Sequence, residues 1–333
     1  MAKRKTTPKT LSFETLTGMF ASEDTAREWL EAQRWPEGPI CPQCGVIGRA
    51  YRLLPKATSS RPVRKGVWKC RDCRKQFTVT IGTVFAETHI PLNKWLYAIH
   101  LMCASKKGVS AKQIERTVGV TYKSAWFLCH RIRAAMTELA PKVLGGMTGG
   151  EDGGPQEAAI VEADETYVGG KTRGQGLGPH AGGNKSVVFT LVQRDGDARS
   201  FHVADAKAQT LKGIMRIEVD GATRIMTDQN RSYIGLEREF LDHESVNHGA
   251  GEYVRGIVHT NFSESFFSLL KRGIMGAFHH VSKQHLQRYL NEFDFRWNSR
   301  DVEDAERLML AVQGVEGKRL FYRAPKWLPA QTA

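Results

Sequence analysis

Apolar residues in LSFETLTGMFASEDTAREWLEAQRW recur at helical intervals, and Ser22 followed by Glu23 and Asp24 predicts a capped start whose acids complement the positive helix end. KQFTVTIGTVF, from Lys75, alternates and is rich in β-branched residues, which predicts strand. From Pro91 the pattern returns to helical spacing, with three helices separated near Gly108 and Gly119. The stretch LGGMTGGEDGGPQE, Leu144 to Glu157, has no apolar period and predicts a flexible linker. Strands follow in AAIVEADETYVGG and KSVVFTLVQRDGDARSFHVAD, where Asp195-Gly196 marks a hairpin turn. A helix around Thr210 to Ile217, the strand TRIMTD, a mixed stretch to Val258 and a long helical region from Asn261 to Trp297 complete the pattern.

A chain of 333 residues with 41% hydrophobic and 25% charged content is globular and long enough for two or three domains. No apolar run reaches membrane-spanning length, and MAKRKTTPKT lacks the apolar stretch of a secretory signal, so a cytoplasmic, nucleoid-associated protein is expected. The net charge of +13 is concentrated: between Cys41 and Ala140 stand 18 Lys/Arg against four acids, Asp72, Glu87, Glu115 and Glu138. That concentration points to a polyphosphate partner, whose condensed counterions are released when cations replace them.

Four of the six cysteines form two CxxC pairs, CPQCG at Cys41 and Cys44 and CRDC at Cys70 and Cys73. Each pair offers two sulfurs from one tight turn, and two turns close a tetrahedron, which predicts structural Zn²⁺. Cys103 and Cys129 stand alone on apolar helical faces and are expected in the core. In VSAKQIERTVGVTYKSAWFLCHRIR, Ser110 and Thr121 can cap two helices around a turn at Gly119. Ala125, Leu128 and Ile132 form the inner stripe of the second helix. Lys123, Phe127, His130 and Arg131 are expected outward, with Lys123 and Arg131 as DNA contacts of a recognition helix.

Asp164 lies within a β-type run and Asp228 ends another, so both carboxylates are expected in one sheet. Glu264 opens the last helical region, and Lys271 follows it by close to two turns, on the same face. Hard oxygen ligands on separate elements suit Mg²⁺, two ions of which serve phosphodiester chemistry. Asn261, one turn before Glu264, is an alternative oxygen ligand. Glu162 and Glu165 are expected at the surface or behind the site.

At these residues the chain resembles the DDE-type transposases of prokaryotic insertion sequences, in the branch with an N-terminal zinc ribbon before an RNase H-like domain. CPQCG, CRDCRKQFTVTIGTVF, VEADETYVGGK, TDQNRSYIGL and HTNFSESFFSLLKRGIMGAFHHVSKQHLQRYLNEFDFRWNSR carry the likeness, from about Phe13 to Asn298. The resemblance implies an α/β fold, with an RNase H-like mixed sheet flanked by helices, preceded by a zinc ribbon and a helix-turn-helix region. It implies a basic tail over 1–12, helix and ribbon over 13–88, helix-turn-helix over 89–141, linker over 142–157, catalytic domain over 158–300 and an extension over 301–333. It also implies catalytic Asp164 and Asp228 with Glu264 or Asn261 as third residue, Mg²⁺ or Mn²⁺ as cofactor, and Lys271 on the DNA backbone, where Lys171 is expected as a second contact. The implied reaction is cutting at terminal inverted repeats followed by 3′-hydroxyl attack on target DNA, by a homodimer or larger assembly. An RNase H-like nuclease that does not join strands, and a DNA-binding regulator with an inactive domain, are the rival readings.

Overall fold

The structure, a computed structural model, describes residues 11–54, 64–138, 140–149, 156–169 and 185–320. The chain forms two compact units, Met1–Thr137 with Val302–Ala333, and Glu138–Asp301.

In the first unit the opening helical stretch is two helices, α1 (Phe13–Met19) and α2 (Glu23–Arg34). Ser22 breaks them apart: its hydroxyl accepts the Thr25 amide, while the Thr25 hydroxyl accepts the Ser22 amide. Three short strands, β1 (Ala50–Arg52), β2 (Trp68–Cys70) and β3 (Gln76–Phe77), form an antiparallel sheet in that order. Only Gln76–Phe77 of the β-rich KQFTVTIGTVF is strand. The rest turns tightly and inserts Val79, Val84 and Phe85 into the core, so its alternation reflects burial without a partner strand. Helices α3 (Leu92–Ala104), α4 (Ala111–Val118) and α5 (Tyr122–Ala135) follow as expected. The Ser110 and Thr121 hydroxyls cap α4 and α5, and Gly119 ends α4 at φ 68°, a conformation that disfavours a side chain.

The second unit begins with the two-residue pair β4 (Met147–Thr148) and β5 (Glu157–Ala158). A five-stranded sheet follows, built from β6 (Ile160–Val168), β7 (Ser186–Gln193), β8 (Ala198–Val203), β9 (Arg224–Asp228) and β10 (Asp242–Val246), with α6 (Ala208–Glu218) between β8 and β9. Its order is β10-β9-β6-β7-β8; β6, β7 and β8 run antiparallel, and β6, β9 and β10 parallel. The two faces carry separate cores. Val161, Ala163, Phe189 and Leu191 pack on α6 through Leu211 and Met215, while Val188 and Val192 pack on α7 (Asn261–Gly273) and α8 (Lys283–Asn298). The last helical region is broken between these helices by a single π-helical turn, Ile274–Phe278.

The stretch expected as a free linker departs from that reading at both ends. Leu144 is buried, exchanging backbone bonds with Glu218 and Asp220, and the Gly145 amide donates to Gln193 Oε1 at 2.8 Å. Gly145 has φ +82°, and a Cβ there would lie 2.0 Å from the Thr223 hydroxyl, so glycine here permits close packing. Residues 150–155 and most of the 1–12 tail lie outside the described residues. The chain returns to the first unit with α9 (Asp304–Gln313), which packs on α3 and α5.

Candidate metal centres

The Sγ atoms of Cys41, Cys44, Cys70 and Cys73 all lie within 4.8 Å of one another. Cys41 and Cys73 are 3.5 Å apart and Cys44 and Cys70 3.7 Å. A tetrahedron of about 2.3 Å zinc–sulfur bonds has edges of about 3.8 Å, so this donor set fits zinc, and the sulfurs stand too far apart for disulfides. Each pair hangs on a backbone turn: Gly45 N–H donates to Cys41 C=O and Cys70 N–H to Lys75 C=O. Cys103 and Cys129 are buried in helices away from this cluster, as expected.

The acids sit at the meeting of β6, β9 and α7. Ile160 pairs with Arg224 and Glu162 with Met226, so the same register carried onward sets Asp164 level with Asp228. Both then project from the face that packs on α7. Burial, and after it the charges of Asp228, Glu165 and Glu264, push the Asp164 carboxyl well above the usual carboxylate range, against the Glu165 amide that donates to it at 2.7 Å. Glu264, in the first turn of α7, keeps its side chain half exposed, 3.9 Å from His248 Nδ1. Asp164, Asp228 and Glu264 are coupled by charge without being gathered as closely as the four sulfurs, and a divalent cation beside the two aspartates would relieve their repulsion with the hard oxygen donors Mg²⁺ prefers.

Two further acids matter more than the sequence suggested. Glu165, on the opposite face of β6, accepts the Asn230 side-chain amide and, at 2.5 Å, the Tyr233 hydroxyl. Asn230 N–H in turn donates to Asp228 Oδ1 at 2.9 Å, so Glu165 ties β6 to the turn that follows Asp228. Glu162 is fully buried and bonds to Arg194 and to the first turn of α7. Its place two residues before Asp164 on one strand face is the signal that could have revealed it.

Lys271 lies exposed on the same side of α7 as Glu264, and both line an open groove of about 660 Å³ with Phe267, Arg272 and Met275. Asn261 opens α7 and is exposed. Lys171 lies outside the described residues. In α5, Lys123 is exposed near the N-terminus, but Arg131 corrects the expected outward face: it is 5% exposed, donates to Ala86 C=O at 2.6 Å and lies over the Trp95 and Phe127 rings. Burial lowers its pKa to about 10. His130 is buried too, on a helix that packs against α3, α4 and α9. The outward face is thereby confined to the first turns of α5.

Comparison with known proteins agrees in both units. Residues 156–298 match the ISXO2-like transposase domain and residues 21–76 the transposase zinc-ribbon domain. A protein in transposable element ISH50 of Halobacterium salinarum is 31% identical over 294 residues, covering 83% of this chain and 91% of that protein. A transposase-like protein of Haemophilus influenzae is 27% identical over 119 residues, covering 36% of this chain and 87% of that protein. No helix among the described residues is long and apolar enough to cross a membrane.

Proposed function

The chain belongs to the ISXO2-like transposase family, and from that premise we propose that it cuts DNA at the terminal inverted repeats of an insertion sequence and joins the freed 3′-hydroxyl to target DNA. One observation carries the reading: β6 and β9 pair in parallel in a register that, carried two residues past Glu162 and Met226, sets Asp164 level with Asp228, and the charges of Asp228 and Glu264 both raise Asp164. The sheet supports an RNase H-like fold for this unit, with β6 central, antiparallel partners on one side and parallel ones on the other.

Asp164 and Asp228 would hold two Mg²⁺ or Mn²⁺ ions, with Glu264, or Asn261 in its stead, as a further ligand. Such ions activate the attacking oxygen and stabilise the leaving one. The chain's own residues position the DNA. Lys271 meets the phosphate backbone beside the acids, with Lys171 as a second contact, and α4 with the exposed start of α5 at Lys123 forms a helix-turn-helix contact with DNA. The four cysteines fix the fold of the ribbon through Zn²⁺.

The test is cleavage and strand transfer on transposon-end DNA with Asp228→Asn. Loss of both activities with DNA binding retained is expected. Activity within a few-fold of wild type would sink the assignment. A pre-cut end carrying a 3′-hydroxyl separates joining from simple nuclease action.

A further inference from the structure

Helix α7 brings no side-chain cap of its own. Its N-cap residue is Thr260, whose side chain makes no capping bond and whose hydroxyl is buried without a hydrogen-bond partner. The first-turn amides of a helix have no acceptor within the helix, so a buried start needs one from elsewhere. Here the sheet supplies it. Glu162 Oε2 accepts Phe262 N–H at 2.9 Å and Ser263 N–H at 3.0 Å, the second and third residues of α7. Glu162 Oε1 accepts Arg194 Nε at 2.9 Å.

Arg194 spends its other nitrogens on the segment that leads into α7. Nη1 donates to Ile257 C=O at 2.8 Å and Nη2 to His259 C=O at 3.0 Å. The His259 ring completes the cluster, with Nδ1 3.1 Å from both Arg194 Nη2 and Glu162 Oε1. A negative carboxylate against the positive end of a helix is favourable, and its burial leaves the interaction unscreened by solvent. Glu162 shares a strand face with Asp164, and Glu264 lies one residue beyond the capped amides. One side chain therefore links the strand that carries the first acid to the turn that carries the third.

We infer that Glu162 is a positioning residue, fixing the first turn of α7 against β6 so that Glu264, or Asn261, is set toward Asp164. The inference rests on the acidic-site reading above. Glutamine at 162 keeps the size of the side chain but turns one acceptor into a donor facing Arg194 or the helix amides, so the link breaks without a cavity.

The experiment combines Mn²⁺ titration with amide hydrogen exchange on the full-length protein, comparing wild type, Glu162→Gln and Asp228→Asn. Residues that orient metal ligands typically change affinity 10–100-fold when mutated. For Glu162→Gln, Mn²⁺ affinity about 10–100-fold weaker is expected, with Phe262 and Ser263 amides exchanging at least ~10-fold faster and those of Val188 and Leu191 unchanged. Wild-type affinity and exchange in Glu162→Gln, with binding lost in Asp228→Asn, overturns the inference and leaves the acidic site standing. Undiminished binding in Asp228→Asn overturns the acidic site itself, and the inference with it. If Glu162→Gln does not fold, wild-type exchange decides: Phe262 and Ser263 should exchange more slowly than Gln209 and Thr210, the matching residues of α6, which also lacks a side-chain cap. Equal rates overturn the inference.

Discussion

The Tyr233 hydroxyl donates to Glu165 Oε2 at 2.5 Å, beneath the strand that carries Asp164. Burial, and then the charge of Glu165, hold the Tyr233 phenol well above its ordinary range, so it stays a donor. Tyr233→Phe leaves Glu165 one donor short, which costs about 1–3 kcal/mol, several degrees of Tm for a domain of this size. Thermal unfolding measures it, and an unchanged Tm would show that this bond contributes nothing.

Glu264 and Asn261 compete for the third place in the acidic site. Glu264→Gln is expected to lower strand cleavage by at least ~10²-fold while Asn261→Ala stays within a few-fold. The opposite ranking in a cleavage assay with Mg²⁺ moves the role to Asn261.

The four-cysteine cluster predicts about one bound zinc per chain by elemental analysis, and its loss in Cys44→Ser. Structural zinc contributes folding free energy directly, so chelation should unfold the ribbon and weaken DNA binding. A metal-free preparation with unchanged circular dichroism and binding would refute this.

Arg131 and Lys123, on the same helix, should respond oppositely. Arg131→Ala removes a buried side chain with a backbone bond and two ring contacts, and is expected to cost roughly 2 kcal/mol or more of stability. Lys123→Ala should weaken DNA binding and reduce its salt slope by about 1. Binding isotherms at several salt concentrations distinguish the two.

Asp294 offers a pH test away from the acidic site. Burial holds its carboxyl well above the usual range, against the Ser200 amide and hydroxyl that donate to it. A raised folded pKa favours folding at low pH, and that contribution disappears as pH rises through the folded value. Asp294→Asn lacks this titration, so its Tm relative to wild type should improve as pH rises above the ordinary carboxylate range. A difference independent of pH would contradict it.

What the sequence revealed was local. The CxxC pairs, the caps at Ser22, Ser110 and Thr121, and the Asp195-Gly196 turn each depend on residues a few positions apart, and the structure contains each of them. Hydrophobic alternation likewise located the strands that bear Asp164 and Asp228. Arg131 was misread because a helical wheel sees one helix, while Ala86 and the Trp95 ring, which hold it, come from outside that helix. Glu162 was undervalued for the same reason. Its partners Arg194 and Phe262 lie 32 and 100 residues away, and only folding brings a buried acid to the donors that justify it.

The return of α9 to the first unit makes closure of that unit wait on synthesis of the second. Leu308, Ala311 and Val312 of α9 are buried, Val315 C=O accepts the Val84 amide, and the Lys318 ammonium donates to Ala135 C=O. A nascent chain halted anywhere in the second unit has already made α3 and α5 but not the helix that seals them. The ribosome must therefore pass α9 before the first unit can close, and a frameshift or stop codon upstream of Asp304 leaves its helices open rather than releasing a closed first unit.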